Sequence, residues 1–316
     1  MKCKTVIMGL LLAAIVVTQP ACSKLGGGNA RSTVPGEYQK AKPTQASVAI
    51  KVITKGVMGD FQKIVSKQPL SISDLYSFIK ENSKKATKKE VTSMMVCLEE
   101  LMVQNQAVMQ GEFAAPAVQK AFQTAAKAKI DYNQSDKLQD AKAKELVKKA
   151  IDSGYKIGSA EGIYAPMIDY TKYSDISKSA TDDMVAYVEL MSTESQKPYA
   201  NDGSLQIGWD EVIKRGNNAE DFLNKYESSP KAEAVNTLYK KYEKVLMFGL
   251  DNTPMFDSKS KAMNADAKKA IEASVSSNSS SKLAKILKDF LGVVGQNGNK
   301  LTPKVDQFRN KSVYSK

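Results

Sequence analysis

Beyond residue 45 the apolar positions recur three and four apart, the spacing that gathers side chains on one face of a helix. Ile50, Ile53, Val57, Phe61 and Ile64 form the first such stripe, which Pro69 ends. Ser71-x-x-Asp74 opens a second, carrying Ile72, Leu75, Tyr76 and Ile79. The capping box Thr87-x-x-Glu90 leads into the longest stripe, Val91, Met94, Met95, Leu98, Leu101, Met102 and Val108, which reads as core. Pro116 suits the first turn of an Ala-rich helix with Val118, Ala121, Phe122 and Ala125 inward, and Leu138 to Ile151 forms another with a lysine-coated outer face.

The middle of the chain is less regular. Gly154, Gly158 and Gly162 lie four apart and predict either a tightly packed helix face or a glycine-broken segment; Ala160 and Glu161 favour the helix, with Pro166 closing it. Ser179-x-x-Asp182 starts a helix with Met184, Tyr187, Val188 and Met191 inward. After the turn Asn201-Asp202-Gly203, a helix through Leu205, Trp209, Val212 and Ile213 is closed by Arg215-Gly216, and Ala219 to Tyr226 form a short one. That spacing buries Trp209, the sole tryptophan. Ser229-Pro230 caps a stripe from Val235 to Leu246 that runs to Gly249, and Asp251-Asn252-Thr253-Pro254 is a turn. Two further helices follow, one with Ala267, Ile271 and Val275, the other from Leu283 to Leu291 ended by Gly292, with a serine-rich break at 276–281 between them.

No alternation of period two stands out, so the expected fold is all-α, a bundle of roughly ten helices over 45–292 preceded by a signal segment and a flexible stalk. Residues 22–44 are Gly, Ser, Pro, Lys and Gln with hardly a large apolar side chain, too little to offset ordering entropy, and form that stalk. Residues 293–316 are expected to fray.

The first 21 residues set the location. Lys2 and Lys4 precede an uncharged run from Val6 to Val17, too short to span about 30 Å of hydrocarbon and therefore an export signal. Ala21-Cys22-Ser23 and the Gly26-Gly27-Gly28 tether resemble the lipobox of bacterial lipoproteins, with Gln19 and Pro20 departing from its usual pattern. By that resemblance Cys22 is lipid-modified and the mature protein is held at the outer face of a membrane. With Cys3 leaving in the signal and Cys22 acylated, no intramolecular disulfide is expected, and Cys97 reads as a buried core thiol.

Charge divides the chain. Its net +12 arises from basic flanks around an acidic middle, in which residues 161–257 carry 17 acidic against 10 basic side chains. Only Arg31, Arg215 and Arg309 are arginines, and with so little of the planar fork that reads bases, an exported chain is not expected to bind nucleic acid. The lysines read as a solvated face or as an attraction toward anionic envelope polymers and lipid headgroups. Histidine is absent, which removes imidazole bases and His-containing zinc sites and leaves carboxylate, lysine, tyrosine or serine chemistry. No cofactor is implied.

Ala160-Glu161-Gly162-x-Tyr164, Ile168-Asp169-Tyr170, Asp202-Gly203, Arg215, Glu220-x-Phe222 and Gly249-x-x-Asn252-Thr253-Pro254-x-Phe256-Asp257 resemble the phrasing of uncharacterised lipoproteins of Gram-positive bacteria over about a third of the chain. Glu161, Tyr164, Asp169 and Tyr170 are the candidate binding residues, an acid and tyrosine cluster that could equally serve to hydrogen-bond loops. Asp202, Asp251, Asn252 and Asp257 could ligate calcium but lack an EF-hand ladder, and Asx-turns account for them more simply. Glu194-Ser195, followed by Leu205-Gln206-Ile207-Gly208, resembles the Glu-Ser and Gly-Leu-Met-Gln motifs of lytic transglycosylases, although the second is not preserved as such. That resemblance makes Glu194 the one catalytic candidate. The leading expectation is a non-enzymatic envelope protein that binds a polymer or another envelope protein; the alternative is a carboxylate-dependent enzyme cutting peptidoglycan.

Overall fold

The computed structural model describes residues 55–67, 69–277 and 280–314. The expected signal over 1–21, the expected stalk over 22–44 with Cys22, and residues 45–54 lie outside the described residues. Five helices open the fold: α1 (Gly56–Val65), α2 (Ile72–Asn82), α3 (Lys88–Phe113), α4 (Pro116–Lys127) and α5 (Ala141–Asp152). An antiparallel hairpin follows, β1 (Tyr155–Ala160) with β2 (Ile163–Ile168), then the one-turn α6 (Ser174–Ser177) and α7 (Asp182–Gln196). Two miniature hairpins, β3 (Ala200–Asn201) with β4 (Ser204–Leu205) and β5 (Gly249–Leu250) with β6 (Thr253–Pro254), flank α8 (Trp209–Lys225) and α9 (Ala232–Phe248). The chain ends in α10 (Ala265–Ser277), α11 (Lys282–Gln296) and α12 (Pro303–Tyr314).

The helix starts are written in the capping residues. Thr87 accepts from the Glu90 amide while the Glu90 carboxylate takes the Thr87 amide, so both halves of the box form. Ser71 caps α2, Asp140 caps α5, Ser281 caps α11, and Pro116 occupies the first turn of α4. One apolar cluster runs from Met58 of α1 to Val305 of α12, with α3 and α9 among its main contributors. Trp209 belongs to it at 6% exposure, as its spacing predicts.

Three expectations are corrected. The glycine-spaced segment is a hairpin, and period two is present there after all: Tyr155, Ile157, Tyr164, Pro166 and Ile168 point inward while Ala160, Ile163 and Met167 point out. Glu161 and Gly162 have φ of 51° and 73°, the two-residue turn that matches strand twist, and such a turn cannot continue a helix. The fold is therefore mostly helical with small strand pairs rather than purely α.

Next, α8 runs through Arg215-Gly216 unbroken. A β-carbon on Gly216 would sit 2.7 Å from Leu283 Cδ2, so this glycine marks where α11 lies against α8 and not a helix end.

Finally, the tail from 293 does not fray over its described part: α11 passes Gly292, and α12 docks with Val305 buried. The Arg309 guanidinium lies 4.6 Å from the Phe248 ring centre and 5.7 Å from that of Phe256, and it pairs with Asp306 at 2.7 Å. Cys97 is buried as expected, and it is disulfide-bonded rather than a free thiol.

Candidate functional site

Hairpin β1–β2 lies over α3, and its two edges are closed by side-chain amides. Asn133 accepts from the Ile157 amide at 2.6 Å and donates to the Ile157 carbonyl at 3.1 Å. Gln119 does the same for Tyr164, at 3.0 and 2.8 Å. Pro166 has no donor to leave exposed, and its carbonyl takes Gln106 Nε2 at 2.9 Å. Each amide mimics one rung of a neighbouring strand, so the edges at these positions are closed to a further strand. What the hairpin offers is a face.

Its outer face is apolar at its centre. The pairs Gly158 with Ala165 and Ala160 with Ile163 lie on it, and Ile163 is 62% exposed. Met167 sits across Gly158, where an added β-carbon would meet the sulfur, so the glycine lets the thioether fold down onto the sheet. Opposite stands the segment that leaves α7, from Ser195 through Pro198 to Gln206. Lys156 Nζ donates to the Ser195 carbonyl and ties the two walls together. At the hairpin tip the Glu161 amide donates to Asp202 Oδ1 at 2.5 Å, and Asn252 donates through its side chain to the Asp202 carbonyl at 2.7 Å.

Between these walls lies a groove of about 860 Å³. Ile163, Ala165, Met167 and Pro198 supply its apolar surface, and Ser159, Gln196, Asn201 and Gln206 its neutral hydrogen-bonding groups. Glu161 is the sole carboxylate among the lining residues. Cleaving a glycosidic bond with carboxylates usually takes a facing pair, one as acid and one as base or nucleophile. Lys156 and Lys197 complete the lining, so the groove carries both signs of charge beside its apolar surface.

Of the four binding residues expected from sequence, the structure brings one to the groove. Tyr164 faces inward, its ring 5.4 Å from Phe122 and 5.1 Å from Tyr132. Asp169 caps the 3₁₀ turn of residues 170–173 by accepting from Thr171. Tyr170 is half-buried and donates its hydroxyl to Glu99. Asp202, Asn252 and Asp257 make turn contacts, with Asp257 Oδ1 accepting from the Ser260 amide at 2.7 Å.

Two buried ionic clusters went unforeseen. Glu99 of α3 accepts from Tyr170, from Tyr187 at 2.5 Å and from Lys231, whose side chain is 9% exposed. Burial, with the Glu99 charge adding to it, pushes the phenols of Tyr170 and Tyr187 up. The second cluster joins Glu194 to Arg215 at 2.5 Å and to the Tyr242 hydroxyl at 2.6 Å, with Glu211 on Arg215 Nε at 3.0 Å. Burial and the hydrogen bond to Glu194 push the Tyr242 phenol up. Glu194 does not line the groove; its carboxylate is engaged in holding α7, α8 and α9 together. Tyr170, Glu194 and Arg215 stood out in the sequence, but nothing there pointed to their partners Glu99, Lys231 and Tyr242.

Compared with known protein families, with curated proteins and with solved structures, the chain matches none.

Proposed function

We propose that this is a non-enzymatic binding protein of the bacterial cell envelope, anchored through lipidated Cys22 after loss of residues 1–21, and needing no cofactor. The groove between hairpin β1–β2 and residues 195–206 carries the binding half of the reading, because its walls combine apolar surface with neutral hydrogen-bonding groups, one carboxylate (Glu161) and two lysines (Lys156 and Lys197). Its edge-blocked hairpin favours a guest held by side-chain contacts over one added as a strand. The lipobox resemblance supports the anchoring half. No helix among the described residues is long and apolar enough to cross a membrane.

Two measurements test the two halves separately. Cys22→Ser should move the protein from the membrane fraction to the soluble one, and the intact mass of the wild type should carry acyl chains. A disulfide through Cys22 would leave its sulfur unavailable, and an unacylated mass sinks the anchor. For the groove, wild type and Met167→Asp are compared for co-sedimentation with purified anionic envelope polymer and for capture of solubilised envelope proteins. Retention lost in the variant supports the site. Equal retention, or release of cut polymer fragments by the wild type, overturns it.

A further inference from the structure

We propose that the groove between α7 and α8, remote in its lining from the hairpin groove, docks a cationic amphipathic helix of a partner protein. Two adjoining hollows of about 650 and 760 Å³ form it, sharing Asp182, Lys225 and Tyr226. Val185, Ala186 and Leu190 of α7 face Phe222 of α8 and Tyr226 at its C-cap across the floor. Ala186 and Leu190 lie four apart, as do Phe222 and Tyr226, and Val185 adjoins Ala186, so the floor is an apolar stripe. From Asp182 to Thr193 it is about 16 Å long, three turns of a guest helix.

The rim fixes the sign of the guest. Asp182, Asp183, Glu189, Asp221 and Glu227 outnumber Lys88 and Lys225 in a protein whose net charge is +12. Lys88 bridges Asp182 at 3.0 Å, and Asp183 accepts from the Ser229 hydroxyl at 2.6 Å. Glu189 and Asp221, exposed on opposite walls, pair with no cation among the described residues. An apolar floor between two lines of carboxylates complements a helix that presents leucine-like side chains along one stripe and lysine or arginine beside it. The same rim repels anionic lipid headgroups, which argues for a protein guest.

The test uses the full chain and a 14-residue helical peptide of leucine and lysine with the apolar positions three and four apart, followed by fluorescence anisotropy. Binding should weaken on the order of tenfold as salt rises from dilute to physiological strength, and at least about tenfold in Glu189→Lys/Asp221→Lys. Leu190→Ser should weaken it with the circular dichroism unchanged. The control Asp251→Lys/Asp289→Lys, at acids away from the groove, should bind like the wild type. A control that loses as much as the rim variant, or equal binding of a leucine–glutamate peptide, would overturn the proposal. So would peptide binding that appears only after deletion of residues 23–54, since the groove would then belong to the chain's own basic leader.

Discussion

Replacing Arg215 with Met tests how the middle of the protein is held together. The Arg215 side chain is 6% exposed and that of Glu194 14%, and their contact at 2.5 Å is joined by the Tyr242 hydroxyl at 2.6 Å. Methionine keeps much of the volume but removes the cation, leaving Glu194 with Tyr242 and a long 3.4 Å contact from the Tyr199 amide. It also strips the Lys197 carbonyl of its 2.8 Å donor. Breaking a buried pair from one side costs about 3–5 kcal/mol, because the remaining charge stays desolvated. Against a total margin of about 5–15 kcal/mol that is a large share. Glu194→Gln is the milder change, since Arg215 keeps Glu211 at 3.0 Å, and should cost about 1–2 kcal/mol. In Arg215→Met/Glu194→Met both charges go, and the loss should fall short of the sum of the single Met variants by about 1–3 kcal/mol. Urea unfolding followed by Trp209 fluorescence reads all four proteins. An Arg215→Met cost below about 1 kcal/mol, or strict additivity in the cycle, would refute the view that this cluster is a stability element.

Three further outcomes follow from particular contacts. Gly249, at φ 75°, would place a β-carbon 2.3 Å from the Met255 amide nitrogen and 2.5 Å from the Thr253 carbonyl oxygen, so Gly249→Ala should lose about 2–4 kcal/mol; a thermal midpoint unchanged within error would contradict the turn geometry. Removing residues 303–316 uncovers Phe248 and Phe256 beside Arg309, and should lower stability and speed proteolysis within α9, whereas an equally stable truncated chain would restore the frayed-tail expectation. The phenols of Tyr170, Tyr173, Tyr187, Tyr239 and Tyr242 are raised above the ordinary 10.0, chiefly by burial, so the native state holds protons that the unfolded state releases. Their contribution is whole below pH 10 and is lost as pH rises above it. Tyrosinate absorbance should therefore lag in the native protein and jump with unfolding, and a smooth titration of all tyrosines before unfolding would count against their burial.

Helices were legible where local chemistry and periodicity agreed. Thr87 with Glu90 announced α3, Pro116 announced α4, and the stripe through Trp209, Val212 and Ile213 announced α8, because caps and spacing act over four residues. The hairpin was hidden because its evidence lies elsewhere in the chain. Gly158 and Ala165 on the outer strand face blur the alternation, Pro166 looks like a helix stop, and the amides that close its edges come from Asn133, Gln119 and Gln106. Likewise α12 carries a weak stripe and docks through Arg309, whose partners are aromatic side chains far back in sequence.

The same distinction decides which site residues could be read. Glu161 reaches the groove because the turn it forms with Gly162 thrusts it out, a local property. Tyr164 and Tyr170 carry the same chemical promise in sequence, yet strand parity turns one toward Phe122 and a carboxylate on α3 claims the other. Polar tyrosines near an acid mark a site only when the acid is open to solvent, and here Glu99 and Glu194 have their demands met by Lys231 and Arg215 inside the fold. A satisfied buried ion pair spends its directionality on the protein itself. The groove is lined instead by Gln196, Asn201 and Gln206, and nothing in their local sequence distinguishes them from ordinary surface amides.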